Sequence, residues 1–146
     1  MRLFGRKLIR NIEAGEYLDY FFVSAVTSIL SIRLFLHLTG YPQISNGTFH
    51  IAHMLWGGFF LVSALFLLII YLNRSVLLLA AILGGVGFGT FIDELGKFIT
   101  KDNNYFYQPT IAIVYVIFIL IFLLIRLVEK SQIFSKQDYL VNALIL

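Results

Sequence analysis

The sequence predicts an all-α polytopic membrane protein, with four transmembrane helices in an antiparallel bundle and an N-terminal amphipathic interfacial helix. Two observations on composition support this class: 60% of the 146 residues are hydrophobic and only 13% are charged. A soluble domain is typically about 25% charged, so the missing charge indicates a surface that faces lipid. The third observation is that the apolar residues form four stretches of about 20 residues, long enough to cross a hydrocarbon core of about 30 Å.

The amphipathic helix is predicted for residues 1–16, where apolar and basic side chains separate onto two sides. At about 100° per residue, Leu8 and Ile12 fall on one side and Arg2 and Arg6 on the other. A basic helix of this kind is suited to lie on anionic lipids at the surface of a bilayer. The same charges would also serve as a simple positive flank that orients the first span, so both interpretations stay open.

The four spans make up a transmembrane domain over residues 17–128, followed by a cytoplasmic tail over residues 129–146. The predicted spans are Leu18–Leu38, Thr48–Leu72, Val76–Thr100 and Thr110–Val128. On the third span, Ala81, Gly85 and Gly89 form a ladder of small residues, which predicts close helix contacts within the chain or in a homo-oligomer. The apolar ending, residues 139–146, fits either an interfacial segment or the start of a helix in a longer chain.

The distribution of lysine and arginine predicts that both termini are cytoplasmic. With the N-terminus inside, the outer side holds only Lys97 and Lys101. The inner flanks hold Arg2, Arg6, Lys7, Arg10, Arg74, Arg126, Lys130 and Lys136. This asymmetry follows the positive-inside rule. It also accounts for the net charge of +3 without a nucleic-acid partner, because the basic residues flank apolar spans.

Ionisable residues at membrane depth are the feature that points to a function. Asp93, Glu94 and Lys97 lie within the third span, where a charge costs about 2.5–3.5 kcal/mol on insertion scales. The first two spans contribute one arginine and three histidines at the same depth: Arg33, His37, His50 and His53. The sequence therefore predicts one polar layer beneath the outer face of the membrane.

The first hypothesis for this layer is a metal site. His50 and His53 are one helical turn apart, and Asp93 or Glu94 would complete the ligands from the third span. Imidazole and carboxylate together are suited to Zn, Fe, Mn or Cu. The H-x-x-H spacing is a weak motif by itself, and nothing specifies haem, although His37 and His53 are candidate ligands to one haem iron.

Two further hypotheses use the same residues. In the second hypothesis, Asp93, Glu94 and His53 exchange protons or conduct an ion. Arg33 and Lys97 then shift the pKa values of these three residues. Alternatively the charges only pair, Asp93 with Lys97 and Arg33 with Glu94, in a structural or assembly module. The leading interpretation is a metal or proton site that serves transport or sensing. An intramembrane metalloenzyme is the third interpretation.

Several kinds of chemistry find no support in the sequence. There is no cysteine, so disulfides and thiolate metal sites are excluded. There is no G-x-S-x-G motif, and no catalytic residue is assigned. The glycines of residues 85–89 resemble a nucleotide-binding loop, but they lie inside an apolar span and do not follow a strand.

Two long motifs carry a resemblance to a known family. HIAHMLWGG at residues 50–58 and GFGTFIDELGKF at residues 87–98, followed by DNNYFYQP at residues 102–109, resemble a family of uncharacterised bacterial four-span integral membrane proteins. The resemblance covers all four spans and implies the bacterial cytoplasmic membrane. It implies no particular activity. Similar chains continue beyond this C-terminus with a cytoplasmic helical region.

Overall fold

A computed structural model describes residues 2–3, 6–39, 53–95, 99, 108–131 and 133–145 of the chain. Five helices lie within these residues: α1 (Ala14–Thr39), α2 (His53–Ile70), α3 (Arg74–Asp93), α4 (Gln108–Lys130) and α5 (Lys136–Ile145). The first four are long and apolar enough to cross a membrane. The predicted class, an all-α membrane protein with four spans, is confirmed.

The structure corrects the predicted N-terminal helix over the described residues that precede Ala14. In place of a helix, β1 (Arg2–Leu3) and β2 (Arg6–Lys7) pair as antiparallel strands, and the first helix begins at Ala14. The backbone N–H groups of Arg10 and Ile12 donate to distant side chains, those of Asp138 and Asn142, each at 3.1 Å. These two N–H groups therefore do not form the hydrogen bonds of a local helix. The hydrophobic pattern of residues 1–16 gives no sign of such distant acceptors.

α3 is the central helix of the bundle and packs against both α1 and α2. Where side chains of α1 and α3 are in contact, the residue numbers increase in the same direction along both helices. Where side chains of α2 and α3 are in contact, the numbers increase along one helix and decrease along the other. Thus Ser28 meets Thr90 and Arg33 meets Asp93, but Ala64 lies beside Gly84 while His53 meets Asp93. α1 and α3 are therefore parallel, and α2 is antiparallel to both.

Glycines allow the helix backbones to approach each other closely on both sides of α3. A Cβ atom on Gly85 or Gly89 would collide with a carbonyl oxygen of α1, on Phe21 or Ala25 respectively. This is the close contact that the ladder of small residues predicts. On the α2 side, a Cβ on Gly57 would lie 2.8 Å from the carbonyl oxygen of Gly87.

α4 is attached mainly through aromatic rings. Phe118 lies 5.8 Å from Phe22 of α1 and 6.1 Å from Phe88 of α3, measured between ring centroids. Phe122 contacts the same Phe22 ring at 5.9 Å. The outer face of α4 is largely exposed, as expected for the span with the most lipid contact.

α5 lies where the sequence predicts the start of a helix near the C-terminus.

The described part of the third span ends its regular helix earlier than predicted, at Asp93, and Glu94 occupies the C-cap position. Residues 96–98 and 100 of that predicted span lie outside the described residues, as do residues 48–52 of the second. The bundle thus brings the C-terminal end of α3 level with the C-terminal part of α1 and the N-terminus of α2.

Candidate functional site

Two carboxylates at the C-terminal end of α3 form the centre of the candidate site. Asp93 is 1% exposed and Glu94 is 0% exposed. The C-terminus of a helix carries partial negative charge, so carboxylates there are disfavoured by their own helix. Their stabilisation has to come from groups on the neighbouring helices.

Arg33 of α1 supplies one such group. Because α1 and α3 are parallel, Arg33 reaches the level of Asp93, and its Nε donates to Asp93 Oδ1 at 2.8 Å. The Arg33 side chain is 34% exposed, whereas that of Asp93 is fully buried. A guanidinium bound to a carboxylate makes a charge-assisted hydrogen bond, roughly twice as strong as a neutral one.

His53 of α2 lies between the two carboxylates. Its Nε2 is 3.4 Å from Asp93 Oδ2, and its Nδ1 is 2.8 Å from Glu94 Oε1. Each ring nitrogen therefore faces a different carboxylate. Because α2 is antiparallel to α3, the first described residue of α2 is brought to the last residue of α3.

Glu94 also binds the backbone at the N-terminus of α2. The N–H of His53 donates to Glu94 Oε1 at 3.0 Å. The first N–H groups of a helix lack acceptors within the helix, and that end carries partial positive charge. Glu94 thus satisfies a backbone donor and places its negative charge where α2 favours it.

The structure brings together four of the seven residues that the sequence predicts for the polar layer. These are Arg33, His53, Asp93 and Glu94. His37 is exposed near the C-terminal end of α1. His50 and Lys97 lie outside the described residues.

The pairing of charges differs in detail from the structural hypothesis. Arg33 binds Asp93, where that hypothesis paired it with Glu94. Consecutive residues of a helix point about 100° apart, so Asp93 is directed toward α1 and Glu94 toward α2. A pattern of residue types cannot decide which of two neighbouring acids faces which helix.

A hydroxyl pair that the sequence analysis did not assign to the site lies one helical turn below it, between α1 and α3. Ser28 Oγ and Thr90 Oγ1 are 3.0 Å apart, and both donate to the carbonyl oxygen of Val86, at 3.2 Å and 2.8 Å. The Ser28 face was recognisable as small and polar, but Thr90 was not singled out. A threonine inside a helix commonly donates to the carbonyl four residues earlier, so this bond gives no signal in the sequence of a partner on α1.

The arrangement of His53 bears on the metal hypothesis. One metal ion takes one nitrogen of an imidazole, and the two ring nitrogens here face two separate carboxylates. In the part of the chain that the structure describes, no group of three His, Asp or Glu side chains has the arrangement of a metal centre. A metal ion on one ring nitrogen would be compatible with a carboxylate on the other, because a metal-bound histidine usually donates its second N–H to such a group.

The fold and the site define a polytopic membrane protein with a cluster of charged residues buried at one end of its helices. No protein-family model, curated protein or solved structure matches this chain. Membership of the bacterial family that the two motifs resemble stays a prediction.

Proposed function

We propose that His53, Asp93 and Glu94 form an intramembrane proton-binding site that serves transport or sensing. The observation that carries the proposal is one imidazole held between two buried carboxylates, 3.4 Å from one and 2.8 Å from the other. Ionisable residues inside a membrane are costly and typically mark ion or proton pathways. With both termini in the cytoplasm, as the positive-inside rule predicts, this site lies toward the outer face.

The imidazole makes the cluster sensitive to protons. A protonated histidine has two N–H donors, one for each carboxylate. A neutral histidine has one donor and one acceptor, so one carboxylate then faces a lone pair. Gain or loss of a proton therefore changes which helix–helix contacts are favourable, because Asp93 also binds α1 through Arg33.

A divalent transition metal, Zn, Fe, Mn or Cu, is the less supported occupant, and haem is less supported still. Binding would use one ring nitrogen of His53 and would draw on His50 for a second imidazole. The metalloenzyme interpretation depends on the same metal. Metal analysis of the purified protein tests both, with loss of bound metal expected in His50→Ala and His53→Ala only if a metal is held there.

The structural hypothesis is the second candidate, and one contact favours it. Glu94 accepts the backbone N–H of His53 at 3.0 Å, which fixes the start of α2 against α3 whether or not protons move. Under this interpretation the buried charges determine the register of the helices, a documented use of such groups. The protein would then be an assembly module, alone or in a homo-oligomer.

Proteoliposomes loaded with a pH-sensitive dye separate the two candidates. We expect the wild-type protein to carry protons down an imposed pH gradient, or its His53 ring signals in NMR to change as the pH is varied. Proton transport is expected to be lost in Asp93→Asn, and the His53 signals are expected to change at a different pH because one of the two carboxylate charges beside the ring is removed. His37→Asn is the matched control, because His37 is an exposed histidine near the same end of the bundle. Absence of both responses in the wild-type protein would rule out the proton site and leave the structural hypothesis.

A further inference from the structure

A cavity of about 490 Å³ lies at the opposite end of the helices from the His53 cluster. It is half open and is lined by residues 9–13, the start of α1, the turn between α2 and α3 with the start of α3, and α5. Sites for small molecules typically measure about 300–1,000 Å³, so this cavity is large enough for a ligand. The proton-binding proposal does not involve it.

One side of the cavity is cationic. Arg74 Nη2 binds Glu13 Oε1 at 2.6 Å and lies 3.9 Å from Glu16 Oε2. The second oxygen of Glu13 accepts the hydroxyl of Tyr17 at 2.6 Å, so Glu13 is fully engaged. In the described part of the chain, the ion pairs of Arg74 use Nη2 alone, while its guanidinium carries five N–H donors. Half of the Arg74 side chain is exposed, and Arg10 also lines the cavity, with its guanidinium Nη1 donating to the carbonyl oxygen of Ser131.

The remaining walls are apolar. Ile9, Ile12, Leu72 and Leu77 line them. The cavity lies where α2 ends at Ile70 and α3 begins at Arg74. If these helices span a bilayer, their ends fall near the level at which acyl chains meet head groups. A space with arginines on one side and aliphatic side chains on the other is complementary to an amphiphile with an anionic head.

The walls of the cavity are held in place by hydrogen bonds that do not involve a ligand. Asn142 Nδ2 donates to the carbonyl oxygen of Arg10 at 2.8 Å, and Asn142 Oδ1 accepts the N–H of Ile12 at 3.1 Å. Asp138 accepts the N–H of Arg10 at 3.1 Å. These bonds fix the N-terminal segment against α5, so the cavity is preformed and a ligand need not order it.

From this geometry we propose that the cavity binds the phosphate head group of an anionic glycerophospholipid. Arg74 contacts the phosphate with the donors that its ion pairs leave available, and Arg10 adds positive charge. Leu72 and Leu77 receive the first carbons of an acyl chain. Glu13 competes with the phosphate for Arg74, so it sets the affinity.

Binding of short-chain phosphatidylglycerol to the purified full chain in detergent tests this proposal. We expect saturable binding that Arg74→Gln weakens about tenfold, because a charge-assisted hydrogen bond is lost. We expect Glu13→Gln to strengthen binding, since it removes the competing carboxylate. Arg126→Gln is the matched control and should change nothing: Arg126 is also a half-exposed arginine with carboxylate partners, but it lies outside the cavity.

Opposite effects of the two variants are the signature of a binding site. If Glu13→Gln weakens binding as much as Arg74→Gln does, the ion pair only supports the fold and the proposal fails. It also fails if phosphatidylcholine or inorganic phosphate binds as tightly as phosphatidylglycerol. Thermal unfolding of each variant shows whether it is folded, and Arg10→Gln provides a second test of the cationic side should Arg74→Gln not fold.

Discussion

Asp93 is the residue through which three helices meet at one end of the bundle. Its Oδ1 accepts from Arg33 of α1, its Oδ2 faces His53 of α2, and it is itself the last residue of α3. A carboxylate with this degree of burial is stabilised only by the charges and donors around it. Changes at Asp93 should therefore act on stability through its partners.

Asp93→Asn is expected to lower the free energy of unfolding by about 2 kcal/mol, because it removes the charge that Arg33 and His53 bind. Arg33→Gln should also lower the free energy of unfolding, but by less than the loss of a fully buried arginine would, since the Arg33 side chain is partly exposed. The double variant should be more stable than the sum of the two single changes implies. Unfolding in mixed detergent and denaturant measures all three. Strictly additive effects would mean that the two side chains do not interact.

Glu94 has two roles that substitution can separate. Its Oε1 accepts the backbone N–H of His53, which needs only an acceptor, and it faces the His53 ring, which favours a charge. Glu94→Gln keeps an acceptor oxygen and should cost less stability than Glu94→Ala, which leaves the N–H of α2 without this partner. The same unfolding measurement compares the two. Equal losses would indicate that charge alone accounts for the contribution of Glu94.

At the scale of elements, the contact between α2 and α3 determines where His53 lies relative to the carboxylates. Gly57, one turn after His53, faces α3 so closely that a Cβ would lie 2.7 Å from Phe91 N and 2.8 Å from Gly87 O. Gly58 is its neighbour, and a Cβ there would meet nothing within 4 Å. The two glycines thus make a matched pair in one helix.

Gly57→Ala should separate α2 from α3 and destabilise the protein by about 1–3 kcal/mol, the usual cost of overpacking. It should also weaken the ring contacts of His53, which would appear as a change in the NMR signals of the imidazole. Gly58→Ala is expected to leave both stability and signals near those of the wild-type protein. A similar loss in both variants would contradict the packing described for this interface.

The sequence predicts the spans well because their signal is local. A long apolar stretch has to be a helix if it crosses lipid, since its backbone donors have no water to bind. The depth of Arg33, His53, Asp93 and Glu94 follows from counting along those spans. Which acid faces which helix does not follow, because Asp93 and Glu94 differ only by rotation about α3.

At the scale of the whole molecule, the two ends of the chain are tied together. Arg10 and Ile12 bind Asp138 and Asn142 across 128 and 130 residues of sequence. The helix predicted for residues 1–16 fails for this reason: amphipathic pattern is a local signal, whereas these acceptors lie on α5. Salt bridges near the same end, such as that of Arg74 with Glu13, link the residue before α1 to the start of α3.

This connection between the termini should open without unfolding the spans. Asn142→Ala removes the donor to the Arg10 carbonyl and the acceptor for the Ile12 N–H, neither of which belongs to the contacts of α3 with α1 and α2. We expect faster hydrogen exchange at Ile12, with exchange in α3 unchanged, because local opening needs only the local bonds to break. Gln137→Ala, at an exposed position of α5, is the control and should leave Ile12 protected. If Asn142→Ala also speeds hydrogen exchange throughout α3, the termini and the bundle unfold as one unit. The hydrogen bonds between the termini then stabilise the whole fold.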